Sequence, residues 1–399
     1  MKGTLYLDDL GIVCSLGSGK DAVWRAIASG KERGMRAETV YDKEMYVARV
    51  DRAADKKNMP SPYDNRVNAI LSIALREIEP AAKRALDRYG ADRVAVLVGS
   101  CDNGSELSFD ALSAYKKTGA FPAEYRLERQ RADLPARYAA AMLGVKGPVM
   151  AYSTACASSA SAFISARNLI LSGTCDAAIV GGVDIVSDAV ALGFSALEAV
   201  SGEPCQPFSA NRKGITLGEG AGLFVVSRDD LSGSGIALLG AGESADAHHM
   251  TAPDPEGKGA YLSMERALGD AGLSPGDVDY VNLHGTGTAL NDAMESRGVA
   301  RLFADGVPAS STKSMTGHTL GAAGAIELGI CWLALSARNP GKTLPPQIWD
   351  GTRDGDCPAL DIVEPGRVAK RLSVALSNSF AFGGCNVSLV AGAISGNDK

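Results

Sequence analysis

The stretch YSTACASSASAF, residues 152–163, places a single cysteine, Cys156, where an apolar run gives way to small residues. If the apolar run is a strand and the small residues open a helix, the thiol lies at a helix N-terminus. There the helix dipole and unpaired amides favour the thiolate, which is the nucleophilic form of cysteine. A buried structural cysteine is the alternative interpretation, and this stretch alone does not choose between the two.

The histidines bear on that choice, because the chain has only four of them. His284 ends the predicted strand VDYVNLHG and enters a Gly/Thr loop, while His318 precedes a helix of small residues in KSMTGHTLGAAGAIE. The other two, His248 and His249, are neighbours in ADAHHMTAP. Glycine-rich exits from predicted elements suit an imidazole held over a site, so the sequence indicates that His284 and His318 act with the thiol.

Other chemistries find less support. In GSGK, residues 17–20, Cys14 occupies the place of the first glycine of a phosphate loop, and Asp21 stands where a magnesium-binding Ser or Thr belongs. GEGAG, residues 218–222, precedes a predicted strand instead of following one, which favours glycines needed for close packing. The Cys and His spacings match no zinc pattern, so no metal site is expected.

The elements that must position these residues alternate between strands and helices. Continuous apolar runs are typical of strands covered on both faces, and they predict strands at 93–100, 147–155, 176–186, 222–227, 235–244, 278–285 and 371–379. Apolar residues at helical spacing predict helices at 64–89 and 261–272. The polar segment SRDDLSGSG, residues 227–235, is the predicted junction between two halves.

Composition narrows the class of protein. A length of 399 residues suits two domains or one two-lobed unit. The net charge of −6 argues against a general nucleic-acid or membrane-surface binder. No apolar stretch reaches the ~18 residues of a membrane span. The eight cysteines form no C-x-x-C pair and the N-terminus has no secretory apolar segment, so we expect free thiols in the cytoplasm.

Six motifs resemble those of the β-ketoacyl-acyl carrier protein synthases. They are TACASS (154–159), PFSANRKGITLGEGAG (207–222), DAHHMTAP (246–253), HGTGT (284–288), KSMTGHTLGAAGAIE (313–327) and NSFAFGGCN (378–386). Three of them carry the Cys-His-His set of the elongating type in the expected order. The resemblance implies an α/β, thiolase-like fold, a five-layered αβαβα sandwich of two similar halves. We expect residues 1–230 to carry the nucleophile and residues 235–399 to carry the catalytic histidines and lysine.

The same resemblance implies a decarboxylative Claisen condensation in two stages. Cys156 accepts an acyl group from the phosphopantetheine of acyl carrier protein, and malonyl-carrier then loses carbon dioxide to give the carbanion or enolate that attacks the thioester. His284 and His318 hydrogen-bond the oxygen on which charge develops, and Lys313 supports the site electrostatically. Because the substrates arrive on the carrier, no cofactor bound by the enzyme is expected.

Further residues match family positions around the substrate. Thr286 and Thr288 match residues that hydrogen-bond the pantetheine amides, although hydroxyls that cap a turn are an alternative explanation. Phe380 and Gly383, from the C-terminal motif, are also expected to bind substrate.

A gate over the thiol is implied as well. Phe382 matches the gating phenylalanine, and its backbone N–H is expected to complete an oxyanion hole with that of Cys156. Asp246 and His249 match a second loop that moves with this gate.

Two departures from the family pattern leave rival functions open. Ala381 stands where glycine is usual and is expected to stiffen the gate, and Cys385 stands where threonine is usual. Because thiolases use a second cysteine near the C-terminus as acid and base, a thiolase-type acyltransferase is one alternative. A chain-length factor, the catalytically silent synthase-like subunit, is another, but such chains lack the nucleophile that Cys156 supplies here.

The expected partners are acyl carrier protein and a second synthase-like subunit. Lys56, Lys57 and Arg66 are the candidates for a basic surface that meets an acidic carrier, with a solvated charged loop as the alternative. YDNRVNAI and the short N-terminus resemble synthases of aryl-polyene-type gene clusters, which implies polyunsaturated carrier-bound products. That subgroup adds a heterodimer with a chain-length-factor-like subunit to the homodimer usual in the family, and GPVMAYSTA is the strand expected to join the two sheets.

Overall fold

The computed structural model describes residues 4–51, 59–102 and 104–394, which form alternating strands and helices. The elements of the N-terminal part are β1 (Leu5–Cys14), β2 (Gly17–Ser18), α1 (Lys20–Ser29), β3 (Arg36–Val40), β4 (Lys43–Ala48), α2 (Arg66–Tyr89), β5 (Val94–Gly99), α3 (Ser105–Thr118), α4 (Leu134–Leu143), β6 (Val149–Tyr152), α5 (Ser158–Leu171), β7 (Ala177–Asp184), α6 (Asp188–Ala196), β8 (Leu217–Gly218) and β9 (Gly220–Ser227).

The C-terminal part follows after a short loop. Its elements are β10 (Ile236–Ala245), α7 (Lys258–Ala271), β11 (Tyr280–Asn282), α8 (Ala289–Leu302), β12 (Pro308–Ser310), α9 (Lys313–Thr316), α10 (Ala323–Leu335), β13 (Asp361–Ile362), β14 (Val374–Phe380) and β15 (Cys385–Ala393).

The strand order contains an internal repeat. Twelve strands of the described residues form one continuous sheet in the order β13-β12-β11-β14-β15-β10-β1-β9-β7-β5-β6, with β2 paired to β1. When the two-residue strands β2 and β13 and the separate small sheet β3-β4-β8 are left out, each part contributes five strands to the large sheet. From the outside inward, β6-β5-β7-β9-β1 and β12-β11-β14-β15-β10 then both place the third, second, fourth, fifth and first of those five strands. The two parts meet where β1 pairs antiparallel with β10. The division of the chain at residues 230–235 into separate domains stays a prediction.

Helices separate and cover the two parts of the sheet. One apolar cluster joins α5 and α10 to strands of both parts, a second packs α2 and α4 on the first part, and a third packs α7 and α8 on the second. Helix α10 is buried from Ala323 to Ala334, as expected for a helix that is apolar around its whole circumference. The predicted five-layered αβαβα sandwich is therefore confirmed.

The apolar runs located most of the sheet. Each of the seven predicted strands has a counterpart, in β5, β6, β7, β9, β10, β11 and β14, and the two predicted helices are α2 and α7. The glycines of GEGAG pack closely, as expected: a Cβ on Gly222 would lie 3.0 Å from the carbonyl carbon of Ala325.

The central strand β1 was not predicted, because Asp8 and Asp9 interrupt its apolar pattern. Asp8 is nevertheless buried. Its Oδ1 accepts the backbone N–H groups of Leu231 (2.7 Å) and Ser232 (3.2 Å), and its Oδ2 accepts the hydroxyl of Ser227. A buried carboxylate is tolerated when its oxygens are hydrogen-bonded in this way. Asp8 therefore holds the loop between β9 and β10 against the central strand β1.

Candidate active site

Cys156 lies in a single tight turn, residues 155–157, between the end of β6 and the start of α5. The preceding Ala155 has a φ of 48°, a left-handed conformation that side chains other than glycine seldom adopt. Its carbonyl accepts hydrogen bonds from the hydroxyl of Ser158 (2.6 Å) and the thiol of Cys101 (3.0 Å), which stabilise the strained turn. Strain of this kind is concentrated at active sites.

His318 is the immediate neighbour of the thiol. Its Nε2 lies 3.0 Å from the Sγ of Cys156. On the other side of the ring, Nδ1 accepts the backbone N–H of Leu320 at 3.3 Å. Because Nδ1 accepts, the proton of the neutral ring is on Nε2. The ring therefore presents an N–H donor to the thiol and to the space beside it.

Two other side chains, those of Glu295 and Lys313, position His284. A carboxylate, Glu295, accepts the backbone N–H groups of His284 and Gly285, both at 2.7 Å, just beyond the end of β11. The Nδ1 of His284 lies 3.3 Å from the ammonium of Lys313, which can only donate, so this ring also carries its proton on Nε2. Lys313 is itself hydrogen-bonded and ion-paired to Glu327.

The electrostatics keep both rings neutral. Burial lowers the pKa of His284 and of His318 well below 6.5, and the positive charge of Lys313 lowers both further. Burial also raises the pKa of the Cys156 thiol to about 12, while Lys313 acts in the opposite direction. The thiolate expected from the helix N-terminus is thus opposed by burial, and the group that rests beside His318 is a thiol.

The two imidazoles should accordingly contribute no inflection near pH 6.5, the ordinary pKa of histidine, to the decarboxylation of a malonyl thioester. Because the pKa of His284 and of His318 is lowered, both rings stay neutral as the pH falls through 6.5. A fall in rate near pH 7 would instead come from Glu295 and Glu327, because burial raises the pKa of each carboxyl group to about 7. Initial rates of carbon dioxide release from about pH 8 to 5 measure this, with thermal unfolding at each pH as the control. An inflection near pH 6.5 that persists in Glu295→Gln and in Glu327→Gln, without unfolding, would contradict it.

The loop between β14 and β15 lines the same cavity as the thiol. Phe382 is 38% exposed and stacks on Phe194, with ring centroids 5.8 Å apart. Among the described residues, no group other than its own sulfur accepts the backbone N–H of Cys156, and none accepts that of Phe382. Gly383 follows with a φ of 84°, which glycine permits without strain. Ala381 is not in this left-handed region, so its Cβ is compatible with the turn.

A second loop, residues 246–251, is hydrogen-bonded to the first. The N–H of Gly383 donates to the carbonyl of Met250 (2.8 Å), and the N–H of Asp246 donates to the carbonyl of Gly384 (2.9 Å). The exposed ring of His249 instead accepts the N–H of Thr251 within its own loop, at 3.2 Å. The predicted pairing of two loops thus has a physical basis through Asp246, whereas His249 is hydrogen-bonded within its own loop and does not line the cavity that contains the thiol.

These groups surround one cavity of about 440 Å³. Cys156, His284 and His318 contribute to its lining, as do Phe380, Phe382 and Gly383. Thr286 and Thr288 line it too, with their hydroxyl oxygens 3.0 Å apart. The predicted catalytic and substrate-binding residues, apart from the more deeply buried Lys313, therefore meet at a single opening.

The thiol and the two imidazoles also resemble a set of metal ligands. Their donor atoms lie within 4.8 Å of one another, and no other such group was found among the described residues. The Lys313 ammonium, however, already occupies the Nδ1 side of His284 at 3.3 Å. A second positive charge beside it would be opposed by Coulomb repulsion in a buried site. The geometry therefore favours acyl chemistry over metal binding.

Of the three proposed carrier-binding residues, only Arg66 lies among the described residues. Lys56 and Lys57 lie outside the described residues. Arg66 is ion-paired to the buried Glu219, with its Nη2 2.5 Å from one carboxylate oxygen, and Arg49 pairs with the same group at 3.0 Å. A buried carboxylate loses much of its stabilisation when a counter-ion is removed. A carrier contact by Arg66 stays a prediction, but this geometry gives the residue a structural role.

Sequence reasoning missed three buried carboxylates that support the site. Glu295 holds the loop of His284, and Glu327 pairs with Lys313. Asp184 accepts the N–H groups of Cys101 (2.9 Å) and Gly321 (2.6 Å), which joins the nucleophile's surroundings to the turn after His318. Glu327 lies inside a motif already singled out and could have been noticed there. Asp184 lies inside the predicted buried strand at 176–186 and could have been noticed there as well, whereas nothing local to Glu295 distinguishes it from a surface acid.

The sequence matches the models of two domains that belong to one protein family. Residues 10–231 match the model of the β-ketoacyl synthase N-terminal domain, and residues 236–348 match that of the C-terminal domain. The chain therefore belongs to the β-ketoacyl synthase family. Its members include a 3-oxoacyl-[acyl-carrier-protein] synthase 2 of Coxiella burnetii, 32% identical over 98% of both chains. Nodulation protein E of Rhizobium sp. strain N33 is also 32% identical, over 98% of this chain and 99% of the relative.

Solved structures extend the likeness to the whole fold. The ketosynthase ApeO of Xenorhabdus doucetiae, in complex with its chain length factor ApeC, is 38% identical with a TM-score of 0.89 over 98% of each chain. The ishigamide ketosynthase/chain length factor structure is 28% identical with a TM-score of 0.90, over 99% of this chain and 100% of that one. The expected thiolase-like ketosynthase fold is thus confirmed.

Proposed function

We propose that this chain condenses an acyl group held on Cys156 with malonyl-acyl carrier protein, giving β-ketoacyl-acyl carrier protein two carbons longer. The observation that carries the proposal is the 3.0 Å contact between the Cys156 thiol and an imidazole whose tautomer is set by the Leu320 amide. In the first stage, the Cys156 sulfur attacks the acyl thioester and its proton leaves with the pantetheine thiol. The N–H groups of Cys156 and Phe382 are available to bind the oxyanion.

The second stage begins with loss of carbon dioxide from the malonyl group. The bond to the carboxylate breaks, and its electrons pass into the thioester as an enolate whose oxygen becomes negative. The Nε2–H groups of His284 and His318 are the donors for that oxygen, and both are already oriented by their Nδ1 contacts. The enolate carbon then attacks the acyl-Cys156 thioester, and the sulfur departs and regains a proton.

Lys313 acts through His284 as a positioning residue. Its ammonium fixes the tautomer of the ring and keeps the ring neutral, while Glu327 balances its charge inside the protein. The cavity threonines, Thr286 and Thr288, are proposed to bind the amides of the phosphopantetheine arm. Since each substrate is carried by the acyl carrier protein, the reaction uses no cofactor bound by this chain.

The working unit is proposed to be a heterodimer with a chain-length-factor-like subunit. Strand β6 is the outer strand of the first part of the sheet, and Val149 and Met150 on it are 37% and 40% exposed. An open apolar edge of this kind invites pairing with another sheet. ApeO and the ishigamide ketosynthase were both solved with chain length factors, which favours such a partner over a second copy. The aryl-polyene subgroup stays a prediction.

The cellular location is a separate prediction. All eight cysteines are unpaired, which agrees with a reducing compartment. Among the residues described, no helix combines the length and apolar character that crossing a bilayer requires. The cytoplasm is the proposed location.

The test combines the chain with a series of acyl-carriers and malonyl-carrier, alone and after co-expression with neighbouring synthase-like chains that lack the cysteine. Intact-mass measurement of the carrier should show the β-ketoacyl product, and native mass spectrometry should show a dimer. Absence of that product in every combination would contradict the condensation. A monomer at micromolar concentration would contradict the dimer, and a fully active homodimer would remove only the need for a partner.

A further inference from the structure

Asp184 is a fully buried carboxylate at the end of β7, and it holds the turn that follows β5. Its Oδ1 accepts the hydroxyl of Ser100 at 2.8 Å and the backbone N–H of Asp102 at 2.9 Å. The backbone N–H of Cys101, between them, donates to both carboxylate oxygens, at 3.0 Å and 2.9 Å. Three consecutive residues are thereby bonded to one side chain, and we call residues 100–102 the β5 turn.

The β5 turn contacts the nucleophile's turn through the side chain of Cys101. Its thiol donates a hydrogen bond to the carbonyl of Ala155, 3.0 Å away, and lies 3.6 Å from the hydroxyl oxygen of Ser158. Ala155 directly precedes Cys156 and has a left-handed φ of 48°. A strained conformation persists only where the surrounding structure holds it. The Cys101 thiol therefore helps to fix the backbone that carries the Cys156 sulfur.

Asp184 also holds the segment that carries the imidazole. Its Oδ2 accepts the backbone N–H of Gly321 at 2.6 Å. The preceding residue, Leu320, has a left-handed φ of 55° and donates its N–H to Nδ1 of His318. A Cβ on Gly321 would lie 2.6 Å from Oδ2 of Asp184 and 3.0 Å from the Sγ of Cys101, so glycine is needed for this close approach. The position of the His318 ring thus depends on the same carboxylate that holds the β5 turn.

We propose that Asp184 and Cys101 act as positioning residues for the transfer of the acyl group to Cys156. Together they hold the Cys156 sulfur and the Nε2 of His318 at a reactive distance. These two atoms are 3.0 Å apart, although their residues are separated by 162 positions in the sequence. Misplacement of reacting groups by about 1 Å can lower a rate about 10²-fold. The inference rests on the proposed function, because it concerns the first stage of that reaction.

The proposal separates the two stages of the reaction. His284 is positioned by Glu295 and Lys313, not by Asp184. Release of carbon dioxide uses the Nε2–H groups of both imidazoles, and that of His284 stays in place when Asp184 is changed. Loss of the Asp184 contacts should therefore slow acyl transfer more than it slows decarboxylation.

The first test replaces the carboxylate in Asp184→Asn. Asparagine keeps one acceptor oxygen but places an NH₂ group where the second oxygen accepted an N–H, so one of the two segments loses its contact. The rate at which the acyl adduct forms on Cys156, at saturating acyl-carrier, should fall about 10- to 100-fold. KM for the acyl-carrier should keep the parental value, and release of carbon dioxide from malonyl-carrier should fall less.

Asp8→Asn is the matched control for this variant. Asp8 is also a buried carboxylate that accepts backbone N–H groups, but its partners lie in the loop between β9 and β10. Its replacement should lower the temperature of thermal unfolding without slowing formation of the acyl adduct. The comparison separates the positioning of reacting atoms from a general loss of stability.

Cys101 provides a second test that leaves the buried carboxylate in place. Cys101→Ala removes the donor to the Ala155 carbonyl, whereas Cys101→Ser supplies a hydroxyl that can make the same hydrogen bond. Acyl transfer should slow about two- to tenfold in the alanine variant, the size of one hydrogen bond, and recover in the serine variant. Cys357→Ala is the matched control. Cys357 is also half-buried, its thiol lies 3.4 Å from a carboxylate oxygen of Asp354, and it does not line the catalytic cavity.

Several outcomes would overturn the proposal. They are a folded Asp184→Asn variant that acylates at the parental rate, equal slowing of both stages, and a rise in KM with an unchanged maximal rate. If Asp184→Asn does not fold, the Cys101 variants decide, and a parental rate in Cys101→Ala or no recovery in Cys101→Ser would overturn it. Failure of the proposed function is distinguishable, because the parent chain itself would then form neither the acyl adduct nor the β-ketoacyl product.

Discussion

Replacing Cys156 with Ala should abolish both the acyl-enzyme adduct and the condensation product. In the part of the chain that is described, this thiol is the only sulfur grouped with the imidazoles of His284 and His318, and its Sγ lies 3.0 Å from His318. Without that sulfur, no covalent intermediate can form at the site and the reaction loses its first stage. Removal of carbon dioxide from malonyl-carrier should continue, because His284 and His318 remain.

Intact-mass measurement after treatment with acyl-carrier provides the readout, together with assays of carbon dioxide release. Cys175→Ala is the matched control. Cys175 lies just before β7, at the end opposite Asp184 and about 25 Å from it along the strand. That variant should keep the adduct. Thermal unfolding of both variants should stay close to that of the parent, since the substitution removes one atom from each buried side chain.

An adduct that persists on the Cys156→Ala variant would place the nucleophile elsewhere. Cys385 would be the first suspect, because a thiolase-type mechanism uses a second cysteine near the C-terminus. In this structure burial raises the pKa of Cys385, and the hydroxyls of Ser161 and Thr154 lie against it. It is absent from the lining of the catalytic cavity. Its environment is that of a packed side chain at the start of β15.

The sequence predicted the fold best where the pattern was locally complete. The run RVAVLVGS contains the buried strand β5 because its central residues, VAVLVG, carry no polar side chain and both faces of the sheet are covered. Strand β1 was not predicted because its two aspartates interrupt the apolar pattern. The hydrogen-bond partners of the Asp8 carboxylate lie more than two hundred positions away in the sequence. A polar residue in a central strand can be explained only once its distant partners are known.

The same limit applies to the site. The types and order of Cys156, His284 and His318 could be recognised in the sequence, as could Lys313. The sequence could not show which ring nitrogen of each histidine carries the proton. That depends on the group that contacts Nδ1, which is the Leu320 amide for His318 and the Lys313 ammonium for His284. The raised pKa of the Cys156 thiol could not be predicted either, because a position at a helix N-terminus does not show how deeply the thiol is buried.

Changing His284 or His318 to Ala should slow carbon dioxide release from malonyl-carrier by about 10²–10³, the usual effect of losing one donor from an oxyanion hole. Each ring directs an Nε2–H into the cavity, and alanine supplies no donor at either position. The two variants should differ in the first stage. His318 contacts the Cys156 sulfur directly, so self-acylation should fall more in His318→Ala than in His284→Ala.

Both steps can be measured separately, by carbon dioxide release and by the rate at which the acyl adduct appears on the protein. His248→Ala is the matched control, since that histidine is exposed and does not line the cavity. It should leave both rates near those of the parent. His284→Gln offers a second comparison, because its side-chain amide keeps an N–H donor and should recover part of the lost rate. Parental decarboxylation rates in both alanine variants would show that the negative charge is stabilised by other groups and would overturn the roles assigned to the two imidazoles.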